Sequence, residues 1–138
     1  MFVASNDLYY APAGEGIELF DGGMPISGAL TSQVMLYDAG TEVNEEPGNG
    51  PNQPMIGGPG VGTAENGNVA EIGMVNDGFT YPTVSENIMV ILENDGATHF
   101  TLTIKNLEGS TTPVAPGVWV VHSTDNPLFE VGMADFGS

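Results

Sequence analysis

Asn87-Ile88-Met89-Val90-Ile91-Leu92-Glu93-Asn94-Asp95-Gly96 runs on through His99-Phe100-Thr101-Leu102-Thr103-Ile104-Lys105. The second half alternates apolar and polar residues with a period of two, which is the signature of a half-buried strand. Phe100, Leu102 and Ile104 are expected to face a core, and His99, Thr101, Thr103 and Lys105 to face out. The first half is a continuous apolar run, suited to a strand buried on both faces. Asn94-Asp95-Gly96 between them is a hairpin-turn signal. The pair therefore predicts two antiparallel strands.

The same patterning extends outward. Ser32-Gln33-Val34-Met35-Leu36-Tyr37, Gly16-Ile17-Glu18-Leu19-Phe20, Val118-Trp119-Val120-Val121 and Met1-Phe2-Val3-Ala4 all read as strands. Asp21-Gly22-Gly23 reads as a second hairpin turn. The 138 residues include 20 Gly and 10 Pro, more than a fifth of the chain. No stretch of ten residues carries a helical apolar stripe free of both. The expectation is an all-β fold: one antiparallel β-sandwich domain over residues 1–138 with long Gly/Pro-rich loops. A Pro/Gly/Asn-rich stretch at residues 44–68 cannot form a helix or a central strand and is expected to loop.

Charge narrows the function. One Lys and no Arg stand against 18 acidic residues, for a formal net charge of −17. Nothing can neutralise a phosphate backbone, so nucleic acid is excluded as a partner. An anionic membrane surface is disfavoured, and no apolar run is long enough for membrane insertion. The charge suits cations, or a high-salt habitat in which acidic residues keep the surface hydrated. There is no cysteine, hence no disulfide framework. Met1-Phe2-Val3-Ala4-Ser5 lacks a basic n-region, so an export signal is expected to have been removed or to lie in a longer precursor. No Gly-x-Ser-x-Gly elbow, Ser-His-Asp spacing or Gly-Lys-Ser/Thr phosphate loop occurs. Two histidines, His99 and His122, are expected to be ordinary strand residues rather than zinc ligands. The chain is not expected to be an enzyme.

Carboxylates are the abundant reactive groups, and their hard oxygens suit Ca2+. An EF-hand loop is absent. Asp7, in Ser5-Asn6-Asp7, is expected to close a strand over Phe2–Asn6. Asp38, in Tyr37-Asp38-Ala39-Gly40-Thr41-Glu42, is expected to close the Gln33–Tyr37 strand. If those ends share an edge, the two carboxylates converge and require a cation between them or a shifted pKa. The alternative is that each only caps a local Asx turn.

At these residues the chain resembles the spondin domain of F-spondin and mindin, in its bacterial branch. Ser5-Asn6-Asp7-Leu8-Tyr9-Tyr10 is similar to the family's Ser-x-Asp-aromatic segment. Tyr37-Asp38-Ala39-Gly40-Thr41-Glu42 is similar to its Asp-Ala-Gly-Thr-acidic motif. Residues 1–93 resemble the C-terminal part of such a domain. Residues 97–136, with Phe100–Leu107 and Thr112–His122, resemble its N-terminal part. The two parts stand in swapped order, and the family's middle portion is missing. The resemblance implies a C2-like β-sandwich, secretion and a calcium site. The family's acidic ligands carry over to Asp7 and Asp38. Its third, a Glu before the Ser-x-Asp segment, has no counterpart, so Glu42, Glu45, a backbone carbonyl or a neighbouring chain's carboxylate would substitute.

Two functions compete on this reading. One is a secreted, calcium-binding structural subunit for adhesion or self-assembly into filaments, in which a donor strand from one copy completes another. The other is a calcium-dependent extracellular module binding a glycan or protein. In that module the loops at 40–52 and 73–82 would meet the ligand, and Tyr9, Tyr10, Phe79 and Tyr81 are candidate aromatic contacts.

Overall fold

The computed structural model describes residues 7–96 and 98–135. The expected strand at Met1-Phe2-Val3-Ala4 lies outside them. The chain runs β1 (Leu8–Pro12), β2 (Phe20–Asp21), β3 (Met24–Pro25), β4 (Gly28–Ala29), β5 (Val34–Asp38), β6 (Ala70–Glu71), α1 (Val84–Asn87), β7 (Ile88–Gly96) and β8 (His99–Asn106). Among the described residues all strand pairs are antiparallel, so the fold is all-β, with one four-residue α-helix and three short 3-10 turns. Two three-stranded sheets have the orders β1-β5-β6 and β4-β7-β8, and β2 and β3 form a separate ribbon. Among the described residues, no helix is long and apolar enough to cross a membrane.

The stretch that dominates the sequence builds the largest strand pair. β7 and β8 pair from Ile88↔Asn106 to Gly96↔His99, with an irregularity at Asn94/Gly96 where the turn signal lies. In β7, Ile88, Val90 and Leu92 are buried, while Met89 and Ile91 are half-buried. The Gly22-Gly23 turn joins β2 to β3 with φ of 54° and 82°. Two positive φ values define the turn whose twist matches a hairpin, and glycine adopts them without steric cost.

One apolar cluster draws on both three-stranded sheets: Leu8 and Tyr10 of β1, Leu36 of β5, and Ile88, Val90 and Leu92 of β7, with Leu30. A second cluster gathers Tyr9, Ala11, Tyr37, Ala39, Val69 and Phe129. There Tyr9 stacks on Tyr37 at 5.6 Å, and Phe129 meets both rings. β1 thus sends alternate side chains into two clusters, and Tyr9 and Tyr10 are core residues rather than ligand contacts.

Two expected strands differ. Only Phe20 of the Gly16–Phe20 segment is in a strand, although Ile17 and Leu19 pack on the core. Residues 118–121 form no strand and are all exposed. Strand composition favours a pleated, half-buried surface, but a strand exists only where an edge pairs with it.

The long loop is organised around its own polar groups. Gln53 is fully buried, donates to Glu46 O at 2.9 Å and accepts from Gly48 N at 2.8 Å. Gly40, with φ of 70°, lies where a Cβ would stand 2.8 Å from the Asn68 backbone. Gly57 has φ of 86° and open space around it. Gly40→Ala should therefore cost the left-handed penalty of about 1–2 kcal/mol plus a backbone clash, and Gly57→Ala the penalty alone. Thermal unfolding should show a clearly larger loss of Tm for Gly40→Ala. Equal losses would mean the loop at 67–68 does not pack on Gly40.

Candidate functional site

Antiparallel pairing brings the two singled-out aspartates together. Leu8 is opposite Asp38 in the β1–β5 register, so Asp7 at the start of β1 adjoins Asp38 at the end of β5. Asp7 directly precedes β1, and the strand expected to end on it lies outside the described residues. In neighbouring antiparallel strands a start meets an end, which is what convergence here needs.

Asp7 is 6 % exposed. Its Oδ2 accepts three hydrogen bonds, from Thr41 N at 2.7 Å, Thr41 Oγ1 at 3.1 Å and Glu42 N at 2.9 Å. Its Oδ1 is buried and has no hydrogen-bond partner among the described residues. Asp38 is 4 % exposed. Its Oδ1 accepts from Gly40 N at 2.6 Å, which is the Asx turn, and its Oδ2 accepts from Asn44 Nδ2 at 2.6 Å. Holding Nδ2 on Asp38 fixes the amide of Asn44, whose buried Oδ1 also has no partner among the described residues. Turn-capping is thus realised at Asp38, whereas Asp7 braces the next loop.

Glu42 accepts from Gly62 N through Oε2 at 3.1 Å. Glu45 uses both oxygens on Asn52, Oε2 on its N at 3.1 Å and Oε1 on its Nδ2 at 2.5 Å. Glu45 therefore closes the long loop on itself.

Two further acids enter from distant sequence. A cleft of about 360 Å³ is lined by Asp38, Asn44 and Glu65 on one side and Asn76, Asp77 and Phe79 on the other. Asp77 is held by two contacts, accepting from Phe79 N at 2.9 Å and Tyr81 Oη at 2.5 Å. No motif marks Glu65, Asp77 or Asn44, because loop packing alone brings them to Asp38.

The electrostatics agree with this grouping. Burial pushes the Asp38 carboxyl above its ordinary range, and the charges of Asp7 and Asp77 push it further, against the hydrogen bonds from Gly40 and Asn44. Glu65 is raised by burial and then by Asp38 and Asp7. Tyr81 is raised by burial and by its bond to Asp77, with Asp38 and Asp7 adding to the effect. Far along the chain, on the β7–β8 turn, His99 Nδ1 lies 2.8 Å from Asp95 Oδ2. Among the described residues, no three His, Cys, Asp or Glu side chains group closely enough to hold a metal by themselves.

No protein-family model matches the chain, and neither a curated protein nor a solved structure matches it.

The raised carboxyls give stability a definite sign with pH. The folded state binds the Asp38 proton more tightly than the unfolded chain. Stability contributed by that proton is present at acid pH and falls as pH rises from the unfolded pKa through the higher folded one. Glu65 acts in the same direction. In chelator, Tm should therefore rise on mild acidification, and Asp38→Asn should flatten that rise. An unchanged slope in the variant would place the pH dependence elsewhere.

Proposed function

We propose that the chain is an extracellular, calcium-stabilised structural β-sandwich, spondin-like and C2-related, that joins other copies of itself in adhesion or filament formation. The observation that carries the reading is the buried Asp7 carboxylate, with one oxygen accepting three hydrogen bonds and the other without a partner among the described residues. A buried charged oxygen needs a donor or a cation, and this chain has one Lys and no Arg to offer.

Calcium fits the oxygens present. It takes carboxylate, amide and backbone oxygens together, about 6–8 in all, in flexible geometry. Asp7 Oδ1, the Asp38 carboxylate and Asn44 Oδ1 are donors of that kind, and Glu42 keeps Oε1 beyond its bond to Gly62. Glu45 would join only by releasing Asn52. A bound cation would offset the burial, and the lesser repulsion from Asp7 and Asp77, that raise Asp38. It would also tie the start of β1 to the loop after β5. The sandwich assignment is supported by the cluster drawing on both three-stranded sheets.

A second reading is favoured by the cleft. The loops at 40–52 and 73–82 both contribute to its walls, together with Asp38 and Glu65, and exposed Phe79 stands in one of them. On that reading calcium in the cleft presents a glycan or protein ligand, and the chain stays monomeric.

Thermal unfolding and particle size, measured in millimolar calcium and in excess chelator at matched ionic strength, test both. Ligand at a hundredfold excess over Kd adds about 2.7 kcal/mol of stability. We expect a calcium-specific rise in Tm, lost in Asp7→Asn and Asp38→Asn, together with high-mass species. A rise equally produced by sodium or potassium would favour halophilic surface acidity and remove the calcium site. A calcium-specific rise with a strict monomer would favour the ligand-binding module.

A further inference from the structure

Two features of the chain lack partners of the same kind. β8 is an edge strand, paired with β7 on one side and with no strand on the other among the described residues. Phe100 and Ile104 of its core-facing row pack on the apolar cluster, but Leu102 between them is 47 % exposed. Its partner across the pair, Leu92, is buried. The row is therefore uncovered at its centre.

The second feature is the run at 118–121. Its four apolar residues are exposed, and Trp119, the single tryptophan, is 79 % exposed. Among the described residues, no backbone hydrogen bond ties residues 115–121 to any element. The run is held at its ends instead. Val114 N donates to Asn106 Oδ1 at 2.8 Å, Asn126 N donates to Glu15 Oε2 at 2.7 Å, and Phe129 sits in the second cluster. Among the described residues it is an anchored segment, three of its four apolar residues β-branched, that pairs with no strand. An open strand edge and an unpaired apolar run have complementary hydrogen-bonding needs.

Charge selects the occupant. Two copies at −17 repel each other over most of their surfaces. Between residues 96 and 124 the chain holds one acid, Glu108, beside its only Lys, Lys105, and both histidines. The edge and the run both lie in this nearly uncharged stretch, so neither brings a run of like charges to the contact.

We propose that residues 117–122 of one copy add as a strand to the β8 edge of the next, placing an apolar side chain over Leu102. This rests on the self-assembly reading and names its contact. Donor and edge are different surfaces of one chain, so the contact is head-to-tail and propagates as an open filament. Calcium at Asp7 and Asp38 takes no direct part in it.

Trp119 reports the contact directly. In wild type, high-mass species by sedimentation velocity should appear together with a blue shift of Trp119 emission. Val120→Asp removes the donor and Leu102→Asp the edge. Each, checked for native circular dichroism, should remain monomeric alone, and mixing them should give a one-to-one dimer. A peptide of residues 116–123 should cap and shorten wild-type polymers, while the same peptide with Val120→Asp should not. This arm holds even if Leu102→Asp does not fold. Wild-type polymers unaffected by the peptide and still formed by Val120→Asp would overturn this contact and leave assembly standing. A wild-type monomer with unshifted Trp119 emission would overturn both. A monomer with shifted emission would mean that the run docks on its own chain, and would overturn the intermolecular contact.

Discussion

The carboxylate of Asp7 is the constraint around which one end of the structure is arranged. Three donors from Thr41 and Glu42 converge on Oδ2, so the chain leaving β5 must turn back across the start of β1. That turn needs Gly40 in the left-handed region and close to the backbone at 67–68. Charge-assisted bonds of this sort contribute about 1.5–3 kcal/mol each when their partner is ionised. They also hold a negative charge beside Asp38, which is itself buried. The local fold thus places the Asp7 carboxylate beside Asp38, whose own carboxyl is raised by burial and by neighbouring acids. A bound cation, as proposed, would offset this, and the chain has one Lys and no Arg to do so itself.

Much of the strand content was legible because its causes are local. The alternation over Phe100–Ile104 and the Asn94-Asp95-Gly96 turn fix β7 and β8 without reference to anything distant. The Gly22-Gly23 turn does the same for β2 and β3. Val118-Trp119-Val120-Val121 carries equal strand composition but no strand, because pairing depends on an edge that composition does not encode. β1 left no comparable signal, because its buried residues alternate between two apolar clusters and no polar face marks it.

The site was legible in part for the same reason. Asp38 announces itself through the Asp-Ala-Gly turn, and Asp7 through its position beside the aromatic pair. Their convergence follows from antiparallel register, a property of two segments jointly. Glu65, Asp77 and Asn44 reach the cleft by loop packing and leave no spacing to read. Glu45 was a candidate by proximity in sequence, and both its oxygens accept hydrogen bonds from Asn52.

The two proposals rest on different places in the fold: a cation would quiet the Asp7–Asp38 end, and the proposed contact between copies lies at the β8 edge. The central claim is the cation. Its most direct test is a calorimetric titration of the chelator-stripped chain with calcium, against a high and constant background of monovalent salt. The account predicts one saturable site per chain, with Asp38→Asn abolishing it. Only weak, non-saturating heat in the wild-type chain would contradict the account.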